Sequence, residues 1–266
     1  MKILLESFKN FPIFFKSCKI FINEKSPNLK KEQKKKLDDE KVTWISSLNK
    51  IEKAPSIFIA NEFFDSLAIK QFIKKQNIWF EKYVCMKNKN NAQFIDKEFN
   101  IKKFEKKIRY NLSKNQRFIE YSELGIFYLK NISNIIKKND GGILIIDYGY
   151  VSKKMRNTLQ AVSNHKYSSV LKNIGKSDIT HNINYYLFNE MINQIGGLSS
   201  KLTTQRKFLI KMGIEERAEI ISKNLNFLKK ADIYYRLKRL IDGKQMGNLF
   251  KVMFIKNKKN NFKLGF

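Results

Sequence analysis

The sequence predicts an α/β fold in which a mainly parallel sheet is covered on both faces by helices. Three observations lead to this prediction: apolar segments of strand length alternate with helical patterns, acidic residues follow several of these segments, and hydrophobic residues make up 42% of the chain. With 266 residues the chain can bury one substantial core, or a core and a smaller lobe. No stretch approaches ~18 uninterrupted apolar residues, so we expect no membrane span.

The first predicted elements are a strand and a helix. Residues 19–23 form a short apolar segment that is typical of a strand. Ser26 and Pro27 predict a helix start, because Ser is a favoured N-cap and Pro fits the first helical turn. We expect this helix to run to Leu37.

Two further apolar segments predict buried strands, at residues 56–60 and 143–146. We expect Gly141-Gly142 to form a turn before the latter strand and Asp147-Tyr148-Gly149 to end it. Between the two strands the patterns predict a hairpin over 69–94 with a turn near 88–91, a short strand at 118–119 and a helix over 122–138.

Beyond Tyr150 the pattern becomes richer in turns and helices. It predicts turns over 158–180, a helix over 183–195, a helical run over 204–241 interrupted at Gly213, and a strand over 249–255 that returns to the sheet edge. The chain should therefore divide into a core sheet (1–150), a helical and loop lobe over the site (151–245), and a final strand with a basic tail (246–266).

Acidic residues follow three of the predicted strands. Glu24 comes after the first, Glu62 and Asp65 come after the second, and Asp147 comes after the third. In open α/β sheets ligands bind beyond the carboxyl ends of the strands, so we expect these acids to share one crevice. Each acid taken singly is also compatible with an ordinary helix cap or turn, and for Asp65 the helix cap is an equal alternative.

The net charge of +29 raises the question of nucleic-acid binding. Only seven of the 53 basic residues are Arg, and the Lys residues are spread along the whole chain. A phosphate-reading surface would more often use Arg, so nucleic acid is the less favoured partner.

Several kinds of site lack their sequence signature. The sequence contains no G-x-G-x-x-G, no G-x-x-x-x-G-K-[ST] and no G-x-S-x-G motif. Two Cys and two His residues are too few for a disulfide framework or a His-rich metal centre, so we predict no metal.

A series of motifs resembles the MidA family of S-adenosylmethionine-dependent methyltransferases. The resemblance is carried, in order along the chain, by Phe21-Ile-Asn-Glu24-Lys-Ser26-Pro27, Asn61-Glu62-Phe63-Phe64-Asp65-Ser66-Leu67 with Gln71-Phe72, Leu144-Ile-Ile-Asp147-Tyr148-Gly149-Tyr150, Thr158-Leu-Gln160-Ala161 with His165, Gly175 with Asp178-Ile-Thr180, Thr204-Gln205 with Phe208-Leu209, Gly213-Ile214 and Arg217, and Met246-Gly247 with Phe250-Lys251. Because the blocks are collinear and spread over the whole chain, the match is specific. It implies a Rossmann-like methyltransferase sheet with an inserted helical lobe.

The resemblance implies S-adenosylmethionine as cofactor and a protein arginine as methyl acceptor. It places Glu24, Ser26 and Asn61 at the cofactor. It assigns Asn61, Glu62, Asp65 and Asp147 to catalysis, with Glu62 and Asp65 clamping the guanidinium. It places Tyr148, Gln160, Asp178 and Thr180 in the substrate lobe.

The sequence departs from the family pattern in two places. Family members carry a glycine-rich loop upstream of the helix in which this chain begins, so we expect the first strand and that loop to be missing, through a mis-called start or a real truncation. In addition, His181-Asn182-Ile183-Asn184 stands where the family usually has A-H-V-D. This second departure leaves the role of that segment open.

The resemblance also implies a partner and a location. The expected acceptor is a respiratory complex I subunit, and the expected location is the bacterial cytoplasm, or the mitochondrial matrix if the source is eukaryotic. Homo-oligomerisation is left open. The alternatives are a non-catalytic assembly or binding module that retains the fold, and, less favoured, a nucleic-acid methyltransferase.

Overall fold

A computed structural model describes residues 1–37, 41–88, 91–163, 166–172 and 174–266. The chain divides into two compact units, Met1–Ala54 and Pro55–Phe266. Within the described ranges, no helix has the length and apolar character needed to cross a membrane. The three-part division at residues 150 and 245 stays a prediction.

The first unit contains a parallel pair of strands and three helices in its described part. Its elements are α1 (Lys2–Lys9), α2 (Pro12–Ser17), β1 (Ile20–Asn23), α3 (Pro27–Lys36), β2 (Val42–Ile45) and a 3-10 turn (Leu48–Lys50). The predictions of β1 and of α3 with its Ser26 cap are confirmed. The β2 strand was missed, because four residues following a charged run give little periodic signal. Leu5, Leu37 and Val42 form the core of this unit.

The second unit contains the remaining elements. Its strands are β3 (Ser56–Asn61), β4 (Lys70–Lys75), β5 (Ile78–Asn88), β6 (Asn91–Glu98), β7 (Phe118–Tyr121), β8 (Gly141–Tyr150), β9 (Gln160–Ser163), β10 (Lys166–Ser168), β11 (Asp178–Thr180), β12 (Ile183–Asn184), β13 (Leu198–Thr204) and β14 (Phe250–Asn257). Its helices are α4 (Ile101–Ile108), α5 (Glu123–Asn139), α6 (Tyr185–Ile195), α7 (Gln205–Lys211), α8 (Ile214–Ser222), α9 (Phe227–Ile241) and α10 (Met246–Leu249).

The main sheet of this unit is mixed, with β8 at its centre. Strands β3 and β12 run parallel to β8, whereas β14 runs antiparallel to β8 and β13 antiparallel to β14. The expectation of a parallel sheet is therefore only partly met, because an apolar segment does not encode the direction of its strand. The last strand, β14, lies between β8 and β13, so its predicted place at the sheet edge is wrong. Strand β13 was not predicted, because its sequence, LSSKLTT, is largely polar and lacks the apolar pattern of a buried strand.

The central strand is longer than predicted at both ends. Gly141-Gly142 lies inside β8, and so do Asp147, Tyr148 and Gly149. The predicted turn at Gly141-Gly142 and the predicted end of the strand at Asp147-Tyr148-Gly149 are therefore both wrong. The glycines are required by close packing: a Cβ on Gly142 would lie 2.6 Å from the Phe254 ring, and a Cβ on Gly149 would lie 2.6 Å from the carbonyl oxygen of Ile183. Gly in a strand here marks close approach of neighbouring chain segments, not the end of the strand.

A second, antiparallel sheet has the order β6-β5-β4-β7. The region predicted as one hairpin forms three strands, because Gln76 and Asn77 adopt positive φ and make an additional tight turn. The turn predicted near 88–91 includes residues 89–90, which lie outside the described residues. Helix α4 was missed; its Phe104 packs against the Phe72 ring at 5.4 Å.

The region after β8 mixes short strands and helices. Strands β9, β10 and β11 form a small antiparallel sheet where turns were predicted. The helical run over 204–241 consists of α7, α8 and α9, with the first break at Gly213 as predicted and a second at residues 223–226. Helices α5 and α6 bury Leu129 and Met191 in the core, where Ile143 and Ile145 of β8 are also fully buried.

Candidate functional site

The strongest candidate site is the loop that leaves the carboxyl end of β3. The backbone N–H of Glu62 donates to the carbonyl of Ile146 at 3.0 Å, which extends the pairing between β3 and β8 by one residue. Glu62 then adopts φ +46°, a left-handed conformation that turns the chain away from the sheet. We call residues 61–65 the acceptor loop. Asn61 and Glu62 are exposed, whereas Asp65 is buried.

Asp147 of β8 holds this loop in place. Its Oδ2 accepts hydrogen bonds from the backbone N–H groups of Phe64 at 3.1 Å and Asp65 at 3.2 Å, and its Oδ1 accepts from Tyr148 N at 2.9 Å. The Asp147 side chain is fully buried. Its carboxylate therefore contacts the loop backbone and not open solvent.

Asp65 and Asp147 form a buried acidic pair, and no cationic side chain of the described residues neutralises it. Among the described residues neither carboxylate takes part in an ion pair, and Asp65 Oδ1, also buried, has no hydrogen-bond partner. Burial, with a smaller contribution from Glu62, raises the pKa of Asp65 to about 6. Burial and the neighbouring Asp65 raise the pKa of Asp147 to about 7. Such a pair favours a proton or a cationic guest.

Aromatic residues fix the middle of the acceptor loop. The Phe63 ring meets the ring of Tyr128 at 5.2 Å, and the Phe64 ring meets that of Phe188 at 5.2 Å, both edge to face. Phe64 is 1% exposed. Both contacts anchor the loop to α5 and α6, so Asn61 and Glu62 are presented from a rigid support.

Tyr148 lies close to the same acids. Its ring packs on Phe250 at a centroid distance of 4.1 Å. Burial raises the pKa of its hydroxyl, and the charges of Glu62, Asp65 and Asp147 raise it further. The structure thus brings together Asn61, Glu62, Asp65, Asp147 and Tyr148 from the predicted set.

The other predicted substrate-lobe residues lie on the small sheet. Gln160 of β9 donates through Nε2 to Thr180 Oγ1 at 3.2 Å, while Asp178 of β11 is exposed. His181, which directly follows Thr180, donates its backbone N–H to the carbonyl of Asp65 at 3.1 Å. This hydrogen bond connects the small sheet to the acceptor loop. His165, part of the same motif, lies outside the described residues.

The segment that departs from the family pattern has a structural role. Asn184 caps α6, because its Oδ1 accepts hydrogen bonds from Tyr186 N at 3.1 Å and Leu187 N at 3.3 Å. His181 is buried, and burial lowers the pKa of its ring. Asn at this position therefore serves the capping function for which Asp is also suited.

Sequence reasoning missed a buried polar cluster around Glu120. Its carboxylate accepts hydrogen bonds from Gln71 Nε2 at 2.8 Å, from the Thr158 backbone N–H at 3.1 Å and from the Thr158 hydroxyl. Thr158 Oγ1 in turn accepts from Asn182 N at 2.9 Å. These residues are far apart in sequence, so no local pattern predicts the cluster. The available signal was that Gln71 and Thr158 belong to the motifs shared with the family.

The predicted cofactor residues Glu24 and Ser26 belong to the first unit. Glu24 directly follows β1; its Oε1 accepts from Ser26 N at 2.9 Å and its Oε2 from Gln33 Nε2 at 2.9 Å. Trp44 Nε1 donates to Gln33 Oε1 at 2.9 Å and so fixes the orientation of that amide. A carboxylate has about four acceptor positions, so Glu24 retains capacity for the two hydroxyls of a ribose. Ser26 Oγ caps α3 by accepting from Leu29 N at 3.3 Å.

Glu24 lies in one unit, and Glu62 and Asp147 lie in the other. Their convergence on one crevice stays a prediction. In the first unit, Glu24 has acceptor positions that suit the two hydroxyls of a ribose. In the second unit, the carboxylates of the acceptor loop suit a cation.

Comparisons with known proteins show the family to which the chain belongs. Residues 1–204 match the family described as "Putative S-adenosyl-L-methionine-dependent methyltransferase". The chain belongs to this family. A Burkholderia thailandensis protein crystallised with S-adenosyl-homocysteine superposes with a TM-score of 0.76 at 19% identity, over 98% of this chain and 69% of that protein. This likeness confirms the predicted methyltransferase fold.

Curated relatives are also similar. The chain is 26% identical to "Protein arginine methyltransferase NDUFAF7, mitochondrial" of Danio rerio over 218 residues, which is 81% of this chain and 51% of the relative. It is 26% identical to the Xenopus tropicalis protein of the same name, in a match that covers 93% of this chain and 63% of the relative. The matched part of the chain therefore spans from about half to just under two thirds of the length of these relatives.

Proposed function

We propose that this chain carries the acceptor site of an S-adenosylmethionine-dependent protein arginine N-methyltransferase. The observation that carries the proposal is the acceptor loop, in which an exposed Glu62 stands beside a buried Asp65–Asp147 pair with no ion pair to either of its carboxylates among the described residues. Membership of the methyltransferase family and the names of the curated relatives support it.

Glu24 is the proposed ribose-binding residue. Its two hydrogen bonds, from Ser26 N and from Gln33 Nε2, hold the carboxylate at the end of β1 and leave acceptor positions for the hydroxyls. When bound, S-adenosylmethionine supplies a methyl group on a positively charged sulfur. Asn61, at the end of β3, is the proposed contact nearest that methyl group.

Glu62 and Asp65 are the proposed clamp for the arginine guanidinium. The guanidinium is always charged and offers donors in a planar fork that matches carboxylates. A guanidinium held in this way would keep one nitrogen free for methylation, and positioning of this kind lowers barriers by up to ~7–11 kcal/mol in favourable cases. The guanidinium must lose one proton during transfer, and the Asp65 Oδ1 atom is proposed to receive it.

The acceptor protein and the location belong to the same proposal. We propose a respiratory complex I subunit as acceptor, with the mitochondrial matrix as location in a eukaryotic source and the cytoplasm in a bacterial one. The word "mitochondrial" in the names of the relatives supports the former. The proposed lobe over the site comprises residues 151–245.

Calorimetric titration with S-adenosyl-homocysteine tests the cofactor part. We expect saturable binding, weakened at least ~10-fold by Glu24→Ala, since hydrogen bonds to a charged group contribute ~1.5–3 kcal/mol. Glu32→Ala is the matched control, because Glu32 is an exposed acid on the neighbouring helix paired only with Lys35 among the described residues. Absence of binding by the chain would favour the alternative of a non-catalytic module; equal loss in both variants would remove Glu24 from the cofactor site.

A further inference from the structure

The connection between α8 and α9 exposes an unusual apolar surface. Ile220 and Ile221, at the end of α8, are 74% and 49% exposed, and Phe227 and Leu228, at the start of α9, are 82% and 77% exposed. We call these four residues the α8–α9 tip. The connection is short, residues 223–226, and is closed by a hydrogen bond from Leu225 N to the carbonyl of Ser222 at 3.0 Å. Exposed apolar side chains grouped in this way are typical of surfaces that bind another protein or a membrane.

The apolar surface continues along one side of α9. At 100° per residue, Phe227, Leu228, Ala231, Tyr234 and Tyr235 lie within a sector about 120° wide. Tyr235 is 70% exposed. The opposite side is the packed one: half-buried Ile233, Leu237 and Leu240 face α7, α8 and α10. Helix α9 thus has one apolar stripe that packs against the neighbouring helices and a second apolar stripe that faces outward.

Basic residues outnumber acidic ones around this outward stripe, because residues 219–241 contain six Lys and Arg residues and two acids, Glu219 and Asp232. Residues 220–231 contain Lys223, Lys229 and Lys230 and no acidic residue. Further along α9, Arg236 is paired with Asp232, and Lys238 and Arg239 add positive charge. A helix with Phe, Leu and Tyr on one side and Lys and Arg beside them has the composition of an interfacial membrane-binding helix. Tyr is also favoured at the boundary between lipid and water.

We propose that the α8–α9 tip and the outward stripe of α9 dock this protein on an anionic lipid bilayer. The four apolar side chains enter the headgroup region, and the lysines contact lipid phosphates, each contributing attraction that decays within a Debye length. The proposed contact is peripheral, because only side chains of the tip and the stripe enter the headgroup region. Neither the methyltransferase family nor the proposed acceptor chemistry assigns a role to this surface.

Sedimentation of the whole chain with lipid vesicles tests the proposal. We expect binding to phosphatidylcholine vesicles containing 30% phosphatidylglycerol to be at least ~10-fold tighter than to pure phosphatidylcholine. Phe227→Ser/Leu228→Ser and Lys229→Glu/Lys230→Glu should each weaken binding at least ~10-fold. These side chains lie outside the core, and circular dichroism would verify that the variants remain folded.

Lys31→Glu/Lys36→Glu on α3 is the matched control, because that helix is equally lysine-rich and both residues are exposed. Its binding should stay within about twofold of the unchanged chain. The proposal would be overturned by no binding to anionic vesicles, by equal loss in the control, or by sedimentation without vesicles that the Phe227 and Leu228 variant abolishes. The last result would identify the surface as a contact between copies of the chain, and selective capture of an acidic protein without vesicle binding would overturn the proposal in the same way.

Discussion

At the scale of single residues, Glu62 combines backbone strain with a proposed role in the reaction. Its φ of +46° places a non-glycine residue in the left-handed region, which costs roughly 1–2 kcal/mol. We expect Glu62→Gly to leave stability unchanged or raise it by up to ~1 kcal/mol, because glycine relieves the strain at the cost of a more flexible unfolded chain. Methyl transfer should fall ~100-fold, the scale seen when one preorganised polar contact is lost.

The matched control for Glu62→Gly is Gln76→Gly. Gln76 has φ +45° in the turn between β4 and β5 and is exposed. Thermal unfolding and initial rates of methyl transfer should show a similar stability change in both variants and an activity loss in Glu62→Gly only. Near-normal activity of that variant would show that the clamp does not operate.

The acidic pair predicts how stability depends on pH. The pKa values of Asp65 and Asp147 rise from 3.8 to about 6 and about 7. The folded state therefore binds these protons more tightly than the unfolded state, so the contribution of the pair to stability falls as pH rises from about 4 to about 7. Asp65→Asn removes one of the two charges, so it should match the unchanged chain near pH 4 and melt several degrees higher at pH 8.

Melting temperatures at intervals between pH 4 and 8 would measure this difference. Asp232→Asn, which changes an exposed acid on α9 paired with Arg236, should leave the profile nearly unaltered. The measured quantity is the difference in melting temperature between Asp65→Asn and the unchanged chain. A larger increase at pH 4 than at pH 8 would contradict the prediction.

At the scale of elements, glycine in β8 allows neighbouring segments to pack closely against that strand. A Cβ on Gly149 would collide with the Tyr185 ring and with the Ile183 carbonyl, which belong to the buried start of α6 and to β12. Gly149→Ala should therefore cost ~1–3 kcal/mol in urea unfolding. Gly243→Ala is the control, because the nearest atom is the end of the flexible Asn248 side chain; equal costs would show that close packing at β8 is not the cause.

The sequence predicted those elements whose ends carry local chemistry. Ser26 predicted the start of α3, and its side chain caps that helix. The helix predicted over 122–138 is α5, and the Ser122 side chain caps it. The elements that were missed or misread depend on contacts that no local pattern contains. Gly141 was predicted to form a turn and Gly149 to lie at the end of the strand, because the residues packed against them, Ser56 and Tyr185, are remote in sequence.

At the scale of the whole molecule, the charge of +29 predicts weak, salt-sensitive attraction to nucleic acids. Binding to a labelled 20-nucleotide RNA, followed by fluorescence anisotropy, should be detectable at low salt and lost by about 150 mM. Because Lys residues along the whole chain contribute, changing any one pair of them should have little effect. Tight binding that persists above about 200 mM would instead support the nucleic-acid methyltransferase.

The candidate site was predictable as a set of residues but not as an arrangement. Collinear motifs identified Asn61, Glu62, Asp65 and Asp147. They could not show that Asp147 holds the loop backbone through Phe64 and Asp65, nor that Glu120 organises a second polar cluster. Both facts rest on burial and on hydrogen bonds between segments more than 35 residues apart.

The most direct test of the proposed function is the identity of the methylated residue. Purified chain would be incubated with methyl-labelled S-adenosylmethionine and an extract of source cells that lack its gene, and labelled amino acids would be separated after acid hydrolysis. The account predicts label in methylarginine, reduced ~100-fold with Glu62→Gln. Label in another amino acid or in nucleic acid, or equal labelling by the Glu62→Gln variant, would contradict it.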